Sequence, residues 1–303
     1  MAYWLRRSED CSRSKNMTLA ISWIREVKGC QELWLAADSR LGGGMRWDQC
    51  PKMMTLPRSD CAICFAGDTE YAYPLMIQLY YAIDSYSRSR QRAMDLHDLR
   101  GHVLNVFNHL QKSVFMTADR ADLKRTEFLF VGYSWIRKQF SLWRFHYVTS
   151  EDRFQYVPSK RLGPFGEIIY AGDWARAARL RLGELLRSRY GKRFERYTGS
   201  GFDLEPFEVL RDILRAQASD SAGTVGGPPQ IVKVYQHLNC RPVGVYWPTK
   251  ASGQATVMGR HILGYESPEY WVMDPDTFIT KQHVSLNAQQ EQTDQGFKKR
   301  IRP

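Results

Sequence analysis

The chain reads as an α+β protein built from antiparallel sheets covered by helices, on two observations. Apolar β-rich runs and apolar runs at helical spacing are grouped by type, in the order strands, two helices, strands, two helices, strands. Grouping of that kind argues against a parallel βαβ fold, where the two alternate, and for antiparallel pairing with helix layers on the sheets. The second observation is bulk: 303 residues, 43% hydrophobic and 13% aromatic, are enough for one large domain or two ordinary ones with a substantial core.

The elements follow in order. "TLAISWI" (18–24) and "ELWLAAD" (32–38) are apolar runs around the charged, turn-like "REVKGCQ", a hairpin signal. "KMMTLP" (52–57) and "CAICFAG" (61–67) read as a second pair. "DTEYAYPLMIQLYYAIDSYS" then changes to helical spacing, with Asp68 or Thr69 as N-cap and a local distortion expected at Pro74. A second helix is expected over 95–114. Strands return at 127–134, 139–148, 153–157 and 167–172, followed by helices in "DWARAARLRLGELLRSRY" and "LEPFEVLRDILRAQA". After "GTVGGPP" come the strands "QIVKVYQHL" and "RPVGVYWP". The last stretch, 251–303, holds strand-like "ATVMGRHIL" and "EYWVMD" and then a Gln-rich basic tail expected to be disordered.

Several function classes are disfavoured. No run approaches the ~20 apolar residues of a membrane span, and the first residues lack the apolar core of a secretory signal, so a cytoplasmic protein without a membrane partner is expected. Cys11, Cys30, Cys50, Cys61, Cys64 and Cys240 show no disulfide framework; Cys61–Cys64 is a CxxC inside an apolar run and reads as buried strand rather than metal or redox site. The seven histidines have no ligand spacing beyond a helix-borne pattern at 97–109, so no metal and no cofactor is expected. The net charge of +11 invites a nucleic-acid reading, but the basic residues are dispersed. Those of 176–193 alternate with Leu180, Leu182, Leu185 and Leu186, as on the wet face of an amphipathic helix. Nucleic acid is therefore not an expected partner. Gly42-Gly43-Gly44 precedes no Gly-Lys-Ser/Thr and reads as a flexible loop.

Four motifs carry a resemblance. "MTLAISW", "LAADSRLGGG", "CPKMMTLP" and "CFAGDTEYAYPLMIQL" in this order are similar to the proteasome β-subunit family of N-terminal-nucleophile hydrolases, nearest the bacterial peptidase-subunit type, over about residues 18–247. The later "FLFVGYS", "IIYAGDWARAA" and "TVGGPPQIVKV" agree with it. The resemblance implies a four-layer αββα sandwich of two antiparallel sheets. It implies a threonine-type amide hydrolase, most simply a peptidase, with Thr18 as nucleophile, Asp38 as orienting acid, Lys52 as electrostatic activator and Gly67 as oxyanion donor. Asp173 stands where the family has a serine, and either binds the α-amine or caps the following helix. Aligning the first strand puts Asn16 in the nucleophile's place and Thr18 two positions later, on the same strand face.

An N-terminal threonine can be nucleophile and base together, because its own α-amine takes the hydroxyl proton. That chemistry needs residue 18 to be terminal, which initiation at Met17 and removal of that methionine would supply. Residues 1–16 are thus expected to be an extension or an upstream start, 17–250 the hydrolase domain, and 251–303 a strand-containing extension. A homo-oligomeric ring is implied, with an ATPase unfoldase or another protein as partner. The competing reading is an inactive scaffold of the same fold, in which Thr18 stays internal.

Overall fold

The computed structural model describes residues 18–42, 46–114, 121–220, 223–251, 253–266 and 268–282. Residues 1–17, including Asn16 and Met17, most of the Gly42–Gly44 loop and the tail from 283 lie outside them. The strands are β1 Ala20–Val27, β2 Cys30–Ala37, β3 Met53–Thr55, β4 Cys61–Ala66, β5 Glu127–Ser134, β6 Gln139–Val148, β7 Arg153–Pro158, β8 Lys160–Arg161, β9 Glu167–Ala171, β10 Gln230–Tyr235, β11 Asn239–Trp247, β12 Gln254–Val257, β13 Arg260–His261, β14 Trp271–Met273 and β15 Thr280–Gln282. The helices are α1 Thr69–Ser85, α2 Ser87–Arg90, α3 Leu96–Leu110, α4 Ala121–Lys124, α5 Ala175–Tyr190 and α6 Glu205–Ala216.

The strands form two sheets. One runs β13-β12-β11-β10-β2-β1-β9-β8, with β14 added in parallel to β11 and β15 to β14; the other runs β3-β4-β5-β6-β7. Apart from the β11–β14 contact, every pairing between named strands is antiparallel.

Burial follows the two-residue period of each strand. In β1, Ile21 and Trp23 join a core with α5 and α6, through residues such as Leu182, Phe207 and Leu210. In β4, Cys61, Ile63 and Phe65 face a second core with Leu75, Leu79 and Val103 of α1 and α3. The opposite faces meet in a third, where Ala20, Leu35 and Val232 of one sheet touch Ala62, Cys64 and Leu129 of the other. Cys61 and Cys64 therefore point to opposite faces of β4, and burial pushes both thiols up.

Local chemistry sets the boundaries and corrects several expectations. The β1–β2 turn is tighter than the charged run implied: only Lys28 (φ 53°) and Gly29 (φ 77°) lie outside the strands, the two left-handed residues that a twisted two-residue hairpin turn demands. Asp68 caps α1 by accepting from Glu70 N at 2.7 Å. The helix continues through Pro74, which lies early enough to cost it a single intrahelical bond. Asp95 caps α3 and also accepts from Ser134 Oγ. "ATVMGRHIL" is a hairpin, not one strand, because the chain turns at Met258 (φ 49°) and Gly259 (φ 83°). Residues 280–282, expected within the polar tail, form β15 against β14.

Candidate active site

The site lies where β1 begins and β2 ends. Ala20 pairs with Ala37 on one side and Ala171 on the other, so Thr18, Asp38 and Gly172 emerge from three neighbouring strands at one edge. Lys52 precedes β3 of the facing sheet. Its Nζ donates to Thr18 Oγ1 at 2.9 Å and to Asp38 Oδ1 at 2.9 Å. Thr18 is 2% exposed, and Asp38 and Lys52 are 0% exposed.

An ion pair buried this deeply needs its remaining hydrogen-bonding capacity filled. Asp38 Oδ1 also accepts from Leu19 N, and Oδ2 accepts from Arg40 N and Gly226 N. Burial pushes the Asp38 carboxyl above its ordinary value, against the opposing pull of the Lys52 ammonium and these N–H donors. The nearby thiols of Cys50 and Cys64 are raised by burial despite Lys52, which keeps them neutral and out of competition for its charge.

The residues after Asp38 form a latch. Ser39 Oγ lies 2.7 Å from the carbonyls of Asp48 and Pro228, and the buried Arg40 grips both Asp48 carboxylate oxygens while donating to Gly223 O. The two glycines of "TVGGPP" answer to this latch. A Cβ on Gly226 would fall 2.3 Å from the Arg40 guanidinium, and one on Gly227 (φ 71°) would fall 2.2 Å from Asp48 O. Behind it, the fully buried Gln230 donates to Asp38 O (3.2 Å) and Cys50 O (2.7 Å) and accepts from Lys52 N (2.9 Å). One side chain thus fixes the backbones of both ion-pair partners. Gly259 of the C-terminal hairpin abuts this assembly, since a Cβ there would meet Ser39 Cβ at 2.6 Å and Gln230 Nε2 at 3.3 Å.

The sequence-derived candidates divide. Thr18, Asp38 and Lys52 are in direct contact. Gly67 (φ 121°) follows Ala66, which borders Gly172; a Cβ on Gly172 would fall 2.2 Å from Thr18 O. Gly67 also has a packing requirement, since a Cβ there would strike Arg125 O at 2.4 Å. Asp173 is exposed and makes no side-chain hydrogen bond among the described residues. It does not cap α5 either: Trp174 holds the N-cap position, with no side-chain bond. Although the side chain reaches solvent, partial desolvation beside the protein surface and then the nearby Glu127 raise the Asp173 carboxyl. Gln230 and Asp48 carry no signal in the sequence, whereas Arg40 belongs to the "LAADSRLGGG" motif and the glycine pair before "PPQ" marks a loop that packs closely. No cluster of His, Cys, Asp and Glu suited to a metal occurs among the described residues, and no described helix is long and apolar enough to cross a membrane.

The comparisons with known proteins correct the family assignment. No protein-family model matches the chain, and no curated protein matches it. Among solved structures it is similar to the Anbu (Gly-1) mutant from Hyphomicrobium sp. strain MC1, with TM-score 0.47 and 14% identity, over 74% of this chain and 84% of that one. A likeness of that size carries no argument about function. The resemblance to the proteasome β-subunit family, and to its bacterial peptidase type, is therefore withdrawn. The motifs behind it have local work to do: Asp38-Ser39-Arg40 builds the latch, and Gly67-Asp68 lets the chain pass Arg125 and cap α1. Geometry alone accounts for short motifs of this kind.

Proposed function

We propose that this protein is an amide hydrolase whose nucleophile is the hydroxyl of Thr18, acting once Thr18 is the first residue of the chain. The observation that carries the proposal is Lys52 Nζ lying between Thr18 Oγ1 and Asp38 Oδ1 in a buried setting. A cation beside a hydroxyl stabilises the alkoxide; at an effective dielectric near 20, unit charges ~4 Å apart interact by about 4 kcal/mol. Asp38 holds the ammonium in place and balances its charge. Because Lys52 is engaged as an ion-pair cation, the proton acceptor must be another group, and the α-amine of a terminal Thr18 is the nearest covalently available one. Oγ1 attacks the amide carbon, the amine takes its proton and passes it to the leaving amine, and water then hydrolyses the ester. Backbone N–H groups near Gly67 are the proposed oxyanion donors, and a peptide is the proposed substrate.

The three separate cores support a helix–sheet–sheet–helix stacking for 17–250, with 251–282 joined to the same sheet through β11. Exposed Ile77, Tyr80 and Tyr81 on α1 support self-association through that layer. The competing scaffold reading rests on the sequence as written, where Met17 acylates the Thr18 nitrogen.

Two proteins test the proposal, one beginning at Thr18 and one retaining residues 1–17, assayed on a fluorogenic peptide library. Turnover confined to the first, rising with pH as an amine of ordinary pKa ~8 loses its proton, is expected. Absence of turnover in the first favours the scaffold.

A further inference from the structure

A cavity of about 430 Å³ lies where β9 runs beside the β6–β7 edge. Its apolar lining comes from both faces of β9, Ile168 and Tyr170 on the side of α5 and Ile169 on the side of the facing sheet, all buried. Its walls carry Arg144, Lys160, Arg161 and Arg179, and no carboxylate lines it. Arg144 pairs with Glu127 at 3.3 Å, and Arg161 Nε donates to the Gly163 carbonyl at 3.3 Å. Lys160 and Arg179 have no ion-pair partner among the described residues. The Arg179 guanidinium instead lies 5.3 Å from the centre of the Tyr170 ring.

Two polar atoms of the wall make the site more than a basic surface. Tyr170 Oη and Arg144 Nε are buried and have no hydrogen-bond partner among the described residues. Buried donors without acceptors are costly and scarce in folded proteins. Burial also raises the Tyr170 phenol, so it remains a proton donor. Exposed cations that converge on one concave surface concentrate anions there, and guanidinium groups favour the paired oxygens of a carboxylate or phosphate. A cavity of this size suits a small molecule. Its apolar lining rewards an apolar body that a bare inorganic anion lacks.

We propose that this cavity binds a small amphipathic anion, a carboxylate or phosphate head joined to an apolar chain. Arg179, Lys160 and Arg161 hold the head, and the chain lies along the Ile168 and Tyr170 side of β9. The site stands apart from the Thr18 chemistry, although Glu127, the partner of Arg144, also accepts from Gly172 N beside Thr18.

Calorimetric titration of the full chain with octanoate, octyl phosphate, octanol, octylamine and inorganic phosphate at fixed ionic strength tests it, and reads binding without reference to turnover. Saturable one-site binding of an octyl anion is expected, with octanol, octylamine and inorganic phosphate at least about tenfold weaker, the weight of one charge-assisted contact. Arg179→Glu should weaken the octyl anion by at least about tenfold. Arg181→Glu, on the same helix but outside the lining, should change it by less than about twofold. Lys160→Glu repeats the test should the Arg179 variant lose its circular-dichroism melt. Absence of saturable binding, octanol binding as tightly as octanoate, or both pocket variants binding like the parent would overturn the proposal.

Discussion

Two buried ion pairs sit at strand ends of this protein, and they differ in what surrounds the cation. Arg58 and Asp60 are 0% exposed in their side chains, with Nε and Nη2 on the two carboxylate oxygens and Nη1 on the carbonyl of Ser89. Every one of those acceptors is a fixed oxygen that has no chemistry to perform. Lys52 and Asp38 are just as deeply buried, yet there the ammonium also reaches a hydroxyl at the start of a strand. The guanidinium pair ties the start of strand β4 to α2 and is sufficient as structure. The lysine pair spends a buried charge next to a nucleophile, which structure alone does not require.

Substitutions can break or sharpen that contrast. The largest effect is expected from Thr18→Ala in the protein that begins at Thr18: turnover falls by about 10⁴-fold or more, as when a covalent nucleophile is removed. Its unfolding free energy, read from urea denaturation, should fall by no more than one charge-assisted hydrogen bond, about 1.5–3 kcal/mol. Arg58→Ala should do the reverse, lowering unfolding free energy by about 3–5 kcal/mol because Asp60 is left buried and unpaired, with turnover per folded molecule unchanged. Equal activity losses from the two variants would erase the distinction.

Gln230→Leu comes next. It leaves Asp38 O, Cys50 O and Lys52 N unsatisfied, at about 1–3 kcal/mol each before relaxation, and it should cut turnover about tenfold by loosening both partners. A melt reduced as far as expected with full turnover would show that Gln230 does not position Lys52. The smallest effect concerns acid. Burial raises the Asp48 carboxyl, but the hydrogen bonds and charges of Arg40 and Arg46 outweigh it and hold the group below its ordinary value. A carboxyl lowered in the folded state contributes stability at pH above its unfolded value and loses it as pH falls through the folded one. Asp48→Asn should therefore be less stable than the parent near neutrality and converge with it as pH falls through the lowered carboxyl value, which chemical denaturation at a series of acidic pH values would show.

Much of this was legible in the residues, and the failures have physical reasons. Strands 127–134 and 139–148 have the same ends in sequence and structure because each is an unbroken β-rich run with turn residues at its ends. The hairpin at 255–261 reads in sequence as one strand because Met258, unlike Gly259, gives no sign of a left-handed conformation. Thr18, Asp38 and Lys52 could be chosen by residue type and order. Gln230 could not, because a glutamine opening an apolar strand looks the same whether it faces water or bridges two backbones. Nor does local pattern carry the contact between Gly259 and Ser39, which are 220 positions apart.

The most direct test is intact-mass analysis with peptide mapping of the Thr18-first protein after exposure to a peptide epoxyketone, whose two electrophilic carbons require a hydroxyl and an amine on one residue. One probe mass mapped to Thr18, and none on the Thr18→Ala variant, is the expected result. An unlabelled parent, or the same labelling in parent and variant, would contradict the account.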